Sequence, residues 1–269
     1  MAQPSMPGAA LPPDVAQQAH AQSMGVYRES FERRRLLGFI IVYSIFAFIF
    51  LIIVLAVAFS GGDASGRLAV TSVFGVIFLF FAAVAIWALM NSPVVSAAAR
   101  DRRIYAFDDG YVQVTRKGPV GRRWDSVSKI YQSVIQRRVY GIPAGTMRVY
   151  RLTFSDGSTV KLTDNSIDLA TFGPVLMREV SRAQVPRAGA ALQAGQTLHF
   201  GDFSISQQGV SIKGKPPIAW SSVKKVDVSA GYVRVLQDGK WLATTRLASN
   251  VPNLYTFITL TDHMASSAV

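Results

Sequence analysis

No cysteine occurs among the 269 residues, which excludes a disulfide framework and any thiolate metal site. Histidine is almost as scarce: His20, His199 and His263 stand far apart, and no pair has the spacing of metal ligands or of a Ser-His-Asp triad. Gly118-Pro-Val-Gly121 lacks the Lys-Ser/Thr ending of a phosphate loop and reads as a turn. Asp108, Asp109, Asp156 and Asp238 sit in turn contexts rather than as paired catalytic carboxylates. These absences lead to the expectation of a non-enzymatic protein with no catalytic residue, cofactor or bound metal. Charge is missing too: Leu36–Phe59 and Leu68–Met90 contain no Asp, Glu, Lys or Arg.

What is present starts with those two stretches. Each exceeds the roughly 20 helical residues that cross about 30 Å of hydrocarbon, and only Ser60–Arg67 separates them. The expectation is a transmembrane hairpin with helices at about 36–59 and 68–90, within a segment 26–99. Ser44, Thr71 and Ser72 can return their hydroxyls to their own helices, while Ala82, Ala83, Ala85 and Ala88 offer small surfaces for helix contact. Arg28, Arg33, Arg34 and Arg35 precede the first run, and Arg100, Arg102 and Arg103 follow the second. The link between the runs has one Asp63 against one Arg67. The positive-inside rule then places both termini in the cytoplasm. Residues 1–25, rich in Ala, Gln, Pro and Ser, read as a disordered tail. From Val26 to Arg35 a helical turn or two is expected to lead into the membrane.

After Arg103 the apolar period changes to two. Tyr105 and Phe107 precede Asp109-Gly110, with Val112 and Val114 behind; Tyr150, Leu152 and Phe154 precede Asp156-Gly157, with Val160 and Leu162 behind. Both read as hairpins, because Asp-Gly suits a tight turn. Trp124, Val127, Ile130 and Val134 suit a further half-buried strand. Ser166 is placed to cap a helix whose shared face is Leu169, Phe172, Leu176 and Val180, bent or delayed by Gly173-Pro174. The Ala- and Gly-rich Arg187–Gly195 marks a boundary, after which the plan recurs. Phe107-Asp-Asp-Gly-Tyr-Val-Gln-Val matches Ile205-Ser-Gln-Gln-Gly-Val-Ser-Ile, and Arg123-Trp-Asp-Ser-Val-Ser-Lys-Ile matches Ala219-Trp-Ser-Ser-Val-Lys-Lys-Val. Asp238-Gly239 supplies another turn. A closing helix, capped by Asn250 with Pro252 in its first turn, would bury Leu254, Phe257, Ile258 and Met264.

Strands closed by an amphipathic C-terminal helix are similar to the pleckstrin-homology-like split barrel. The hairpin followed by Phe107–Gly110, Arg123-Trp124, Ala194-Gly195 with Phe200-Gly201, and Val251-Pro-Asn-Leu resembles a bacterial membrane-protein family of unknown function with tandem domains of that kind. The resemblance covers about the last two-thirds of the chain. It implies an α+β membrane protein with two tandem pleckstrin-homology-like split β-barrels, at 100–187 and 188–269, in the bacterial cytoplasmic (inner) membrane. Its motifs are turn and core residues and name no ligand.

Charge is the feature with functional reach. Between Arg100 and Arg187 stand 16 Lys or Arg against 8 Asp or Glu. Arg116-Lys117, Arg122-Arg123 and Arg137-Arg138 flank turns and are the candidate contacts for anionic lipid headgroups. Nucleic-acid binding is not expected, because the aromatics it would stack on are placed as core residues. The leading expectation is a membrane-anchored docking or scaffold protein with an unidentified protein partner. Headgroup binding by the first repeat and a subunit of a small oligomeric channel or transporter complex are the alternatives.

Overall fold

A computed structural model describes residues 11–32, 37–61, 64–90, 103–115, 117–140, 142–164, 167–239 and 244–267. The chain forms two units: Glu32–Arg103, and the flanking segments taken together.

The first unit holds helices α2 (Leu37–Ala58) and α3 (Ala64–Met90), both long and apolar enough to cross a membrane. Only 6% of each apolar window is buried within the chain, whereas the core helix of a water-soluble fold is mostly buried. Phe50 stacks on Phe74 and Phe81, and Tyr43 and Phe46 also contact Phe81. An aromatic column therefore joins the two helices; of the four alanines expected at their contact, Ala88 is fully buried and Ala83 is exposed. Ser72 Oγ donates to the Leu68 carbonyl oxygen at 2.7 Å, the internal satisfaction a lipid setting demands.

The second unit is α+β. Before the hairpin come helix α1 (Pro13–Ala21) and strand β1 (Tyr27–Glu32). After it come β2 (Arg103–Phe107), β3 (Gly110–Thr115) and β4 (Gly118–Arg123). A 3-10 turn at Trp124–Ser126 leads to β5 (Val127–Val139), β6 (Ile142–Phe154), β7 (Thr159–Thr163) and helix α4 (Leu169–Gln193). Strands β8 (Leu198–Phe200), β9 (Phe203–Ser206), β10 (Gly209–Ile212) and β11 (Ile218–Ala219) precede a second 3-10 turn at Trp220–Ser222. Then follow β12 (Val223–Ser229), β13 (Tyr232–Gln237), β14 (Thr244–Leu247) and helix α5 (Leu254–Ser266). The sheets are β1-β2-β3-β4, β5-β6-β7, β11-β10-β9-β8 and β12-β13-β14. Each half has two antiparallel sheets packed with a helix around one core, and among the described residues neither half closes into a barrel.

The two halves match in detail. Gly110 pairs with Arg123 and Gly209 with Ala219, each just before a Trp. A Cβ at Gly110 would meet the Arg122 carbonyl oxygen at 2.5 Å, and one at Gly209 would collide with that of Ile218, so both sites require glycine for close approach. Trp124 Nε1 donates to the Phe107 carbonyl oxygen at 3.3 Å, as Trp220 Nε1 does to that of Ser206 at 2.9 Å. Register skips one residue between Val127 and Lys129, and again between Val223 and Lys225. Phe31 on Phe172 and Phe200 on Phe257 repeat one strand-to-helix ring contact, at 5.0 and 5.3 Å.

Several boundaries differ from expectation. Within the segment read as a disordered tail, residues 13–21 are helical, and Val15, Ala19 and Met24 are buried against Tyr105, Phe107 and Val112; residues 1–10 lie outside the described residues. The expected helical lead into the hairpin is instead strand β1 over Tyr27–Glu32, with Arg33–Arg35 outside the described residues. The 187/188 division falls inside α4, whose Leu169–Val180 face serves the first core while Val185, Ala188 and Leu192 serve the second. Its cap is Asp168, accepting from Ala170 N at 3.1 Å, whereas Ser166 is not among the described residues. Pro174 and Pro186 sit inside α4, which begins before the first of them. Asn253, not Asn250, occupies the cap position of α5.

Candidate functional site

Where β1, the β2–β3 turn and α4 converge, charged side chains gather at a cleft of about 110 Å³. It is lined by Asp108, Asp109, Arg123, Trp124, Asp125, Glu179, Arg182 and Ala183. Each is placed by a local structural reason. Asp108 and Asp109 form the tight β2–β3 turn, and Arg123 ends β4, where the Gly110 approach fixes the register, with Trp124 opening the 3-10 turn that follows. Glu179 lies on the apolar stripe of α4 between Leu176 and Val180 and is only 3% exposed.

A buried carboxylate survives only when paired. Arg28 Nη1 donates to Glu179 Oε1 at 3.2 Å, and Arg178 Nε donates to the same oxygen at 3.0 Å. Arg182 Nε stands 3.2 Å from Oε2, an ion pair without hydrogen-bond alignment. Arg28 Nε also donates to Asp108 Oδ1 at 2.6 Å. That bond and the Val26 backbone N–H hold the Asp108 carboxyl below its ordinary range. Arg123 forks onto Asp125 at 3.0 and 3.2 Å and donates to the carbonyl oxygens of Gln22 and Ser23, fixing the chain between α1 and β1. The aspartate raises the Arg123 pKa. The network locks β1 against the turn and α4, in a cleft smaller than the several hundred Å³ of an organic-ligand pocket.

Of the six cations singled out from sequence, the four whose side chains are described separate. Arg122 Nη1 donates to Ser158 Oγ at 2.8 Å, and the guanidinium lies 4.1 Å above the centre of the Phe154 ring. Arg123 is committed to the joint. Lys117 is exposed in the β3–β4 turn, and Arg138 is exposed near the β5–β6 tip. Arg116 and the Arg137 side chain lie outside the described residues. Sequence reasoning missed Arg28, Glu179 and Arg182; the signal was an acid set in an apolar helical stripe and followed by basic residues. Among the described residues no three His, Asp or Glu converge on a metal-sized space.

A family model spans residues 1–268, nearly the full chain. The chain belongs to DUF6585, a family of unknown function. No curated protein and no solved structure matches it. The DUF6585 match includes the hairpin and both halves of the α+β unit, so all of these are parts of one family architecture.

Proposed function

We propose that the protein is a non-enzymatic, membrane-anchored docking module. Its two pleckstrin-homology-like repeats are held on the cytoplasmic side of a bacterial inner membrane, with both termini cytoplasmic. The observation that carries this reading is the place of the apolar hairpin in the chain. In the second half, the first two strands are joined through Gly201-Asp202; in the first half, the equivalent connection runs from Glu32 to Arg103 and contains both apolar helices. The anchor is thus an insertion at a turn, outside the cores.

Docking is supported by surface left on the second half. Tyr232 and Leu247 pair across β13–β14 with both side chains nearly half exposed, and β14 is the edge of its sheet. A photo-crosslinking residue at Leu247 of the full chain, in its native membrane, should form a discrete protein adduct that the same residue at exposed Lys224 does not. Equal labelling at both positions refutes the docking surface, and release of the chain by alkaline carbonate refutes the anchor. Headgroup binding is a second reading, favoured by the basic excess of the first half, at about 1 kcal/mol per well-placed cation.

A further inference from the structure

The β5–β6 ribbon and its counterpart β12–β13 differ in length, at 13 residues a strand against seven and six. Strand β7 pairs only with Val149–Thr153 of β6, so from the Val134–Arg148 pair outward the ribbon has two strands. About six residues at 3.3 Å each give a projection of roughly 20 Å.

Such a ribbon is marginal in water, and this one exposes apolar groups on both faces. Val134 and Ile135 are consecutive, hence on opposite faces, and are 49% and 50% exposed; Tyr140 at the tip is 100% exposed. From Val127 to Phe154 the chain carries Lys129, Arg137, Arg138, Arg148 and Arg151 and no acid. Asp164 of the neighbouring turn stands 3.8 Å from Arg148, while Lys129, Arg138 and Arg151 are exposed. The counterpart ribbon turns through Ala230-Gly231 and neutralises Arg234 on Asp227 at 2.7 and 2.8 Å.

We propose that the β5–β6 ribbon is a membrane-contact arm: Tyr140, Val134 and Ile135 enter the headgroup layer of an anionic bilayer, and Arg138 pairs with lipid phosphates. This rests on the membrane-anchored reading above and moves the headgroup contact away from Arg122 and Arg123. A bilayer surrounds an inserted ribbon with apolar and anionic layers on every side, which suits a ribbon that is apolar on both faces and free of acids. A protein surface would cover one face. Tyrosine at the interface and arginine at the phosphates follow the usual membrane preferences.

The absence of cysteine makes single-site labelling direct. Tyr140→Cys, Ser44→Cys and Ala230→Cys are each labelled with an environment-sensitive fluorophore in the full chain. Each is reconstituted into nanodiscs of phosphatidylcholine, with or without phosphatidylglycerol, doped with spin-labelled quencher lipid. The label at 140 should be quenched in phosphatidylglycerol discs. That quenching should be lost in phosphatidylcholine discs, in about 1 M salt, where the Debye length is about 3 Å, and on adding Arg138→Glu. The label at 44 should be quenched throughout and that at 230 nowhere. Quenching at 44 without quenching at 140 overturns the arm and leaves the anchor standing; no quenching at 44 overturns both. Equal quenching at 140 without phosphatidylglycerol overturns the anionic assignment. Protection of 140 from aqueous iodide without lipid quenching assigns the arm to a protein contact and overturns the proposal.

Discussion

Replacing Asn253 tests how the two halves are joined. Asn253 N donates to the Ile130 carbonyl oxygen at 2.9 Å, Ile130 N donates to Asn253 Oδ1 at 2.9 Å, and Asn253 Nδ2 donates to the Ser128 carbonyl oxygen at 2.9 Å. The residue thereby continues the β5 edge at the bulge between Val127 and Lys129. Its φ of 52° lies in the left-handed region, which Asn tolerates and Ala does not. Asn253→Ala loses two side-chain hydrogen bonds, at about 1 kcal/mol each, and adds a left-handed cost of about 1 kcal/mol. The sum is a destabilisation of about 3 kcal/mol. Asn253→Gly should cost about 2 kcal/mol, because glycine accepts the angle. Asn253→Asp keeps the acceptor and should cost about 1 kcal/mol. Urea unfolding of the full chain in detergent, followed by tryptophan emission, measures the series. Trp124→Phe and Trp220→Phe backgrounds distinguish the halves, whose transitions should coincide in the parent and separate in Asn253→Ala. Destabilisation below about 0.5 kcal/mol for both Ala and Gly, the size of an ordinary surface change, would refute the joint. Equal losses for Ala and Gly would refute the backbone part.

Glu179→Gln should loosen β1 by about 2 kcal/mol, below the usual loss for a fully buried pair because its arginine partners are partly exposed; faster hydrogen exchange at Arg28–Phe31 measures it. Tyr111→Phe should stabilise by about 1 kcal/mol, since the Tyr111 hydroxyl is buried without a hydrogen-bond partner and the unfolded chain hydrates it; a fall in urea midpoint refutes this. Gly209→Ala should destabilise by more than about 2 kcal/mol, because the Ile218 carbonyl lies in a paired strand and cannot retreat; expression with native-like tryptophan emission refutes it. Stability should also fall in acid. Asp108 and Asp227 are held low by Arg28 and Arg234, so their contributions are complete above the unfolded value near about 3.9 and disappear as pH falls through the lower folded values. Asp262, raised by burial, acts with the opposite sign. Asp108→Asn and Asp227→Asn should flatten the urea-midpoint profile below about pH 4.

Elements set by local chemistry were legible in the sequence. Asp156-Gly157 forms the turn read from it; the hairpin read at Asp109-Gly110 is present, but Asp108-Asp109 makes its turn and Gly110 opens β3; Leu169, Phe172, Leu176 and Val180 share the buried face of α4. The apolar runs give two long helices because nothing in them interrupts one. What was missed depends on contacts across the chain. Strand β1 has six residues, two of them Glu, and its partner β2 lies beyond the hairpin, so local pattern could not identify it. Helix α1 is short and buries small Ala19, whose period is faint; it is held by the apolar outer face of Tyr105, Phe107 and Val112. At the matching positions the second half has Ser204, Ser206 and Ser211, which require no cover. That contrast between the aligned repeats was the readable clue. The candidate cations were visible as pairs, but neighbours distant in sequence decide their roles: Phe154 and Ser158 engage Arg122, while Gln22, Ser23 and nearby Asp125 engage Arg123.

The hairpin's position in the fold follows from the geometry of its ends. Strands β1 and β2 are neighbours, and Val26 meets Asp108 at one end while Glu32 meets Arg103 at 2.9 Å at the other, so the pair runs antiparallel. An insertion between such strands begins and ends at nearly one point. Lengthening a two-residue turn to roughly 70 flexible residues would cost about 3 kcal/mol in closure entropy. An insert of two helices packed side by side through Phe50, Phe74 and Phe81 brings its own ends together and avoids much of that cost. The same connection leaves the membrane-length segment tied at both ends to one sheet, and Arg28, clamped between Asp108 and Glu179, resists pulling on β1. A terminal anchor would transmit force through one strand, whereas an insert tied at both ends would load two hydrogen-bonded neighbouring strands, β1 and β2, together.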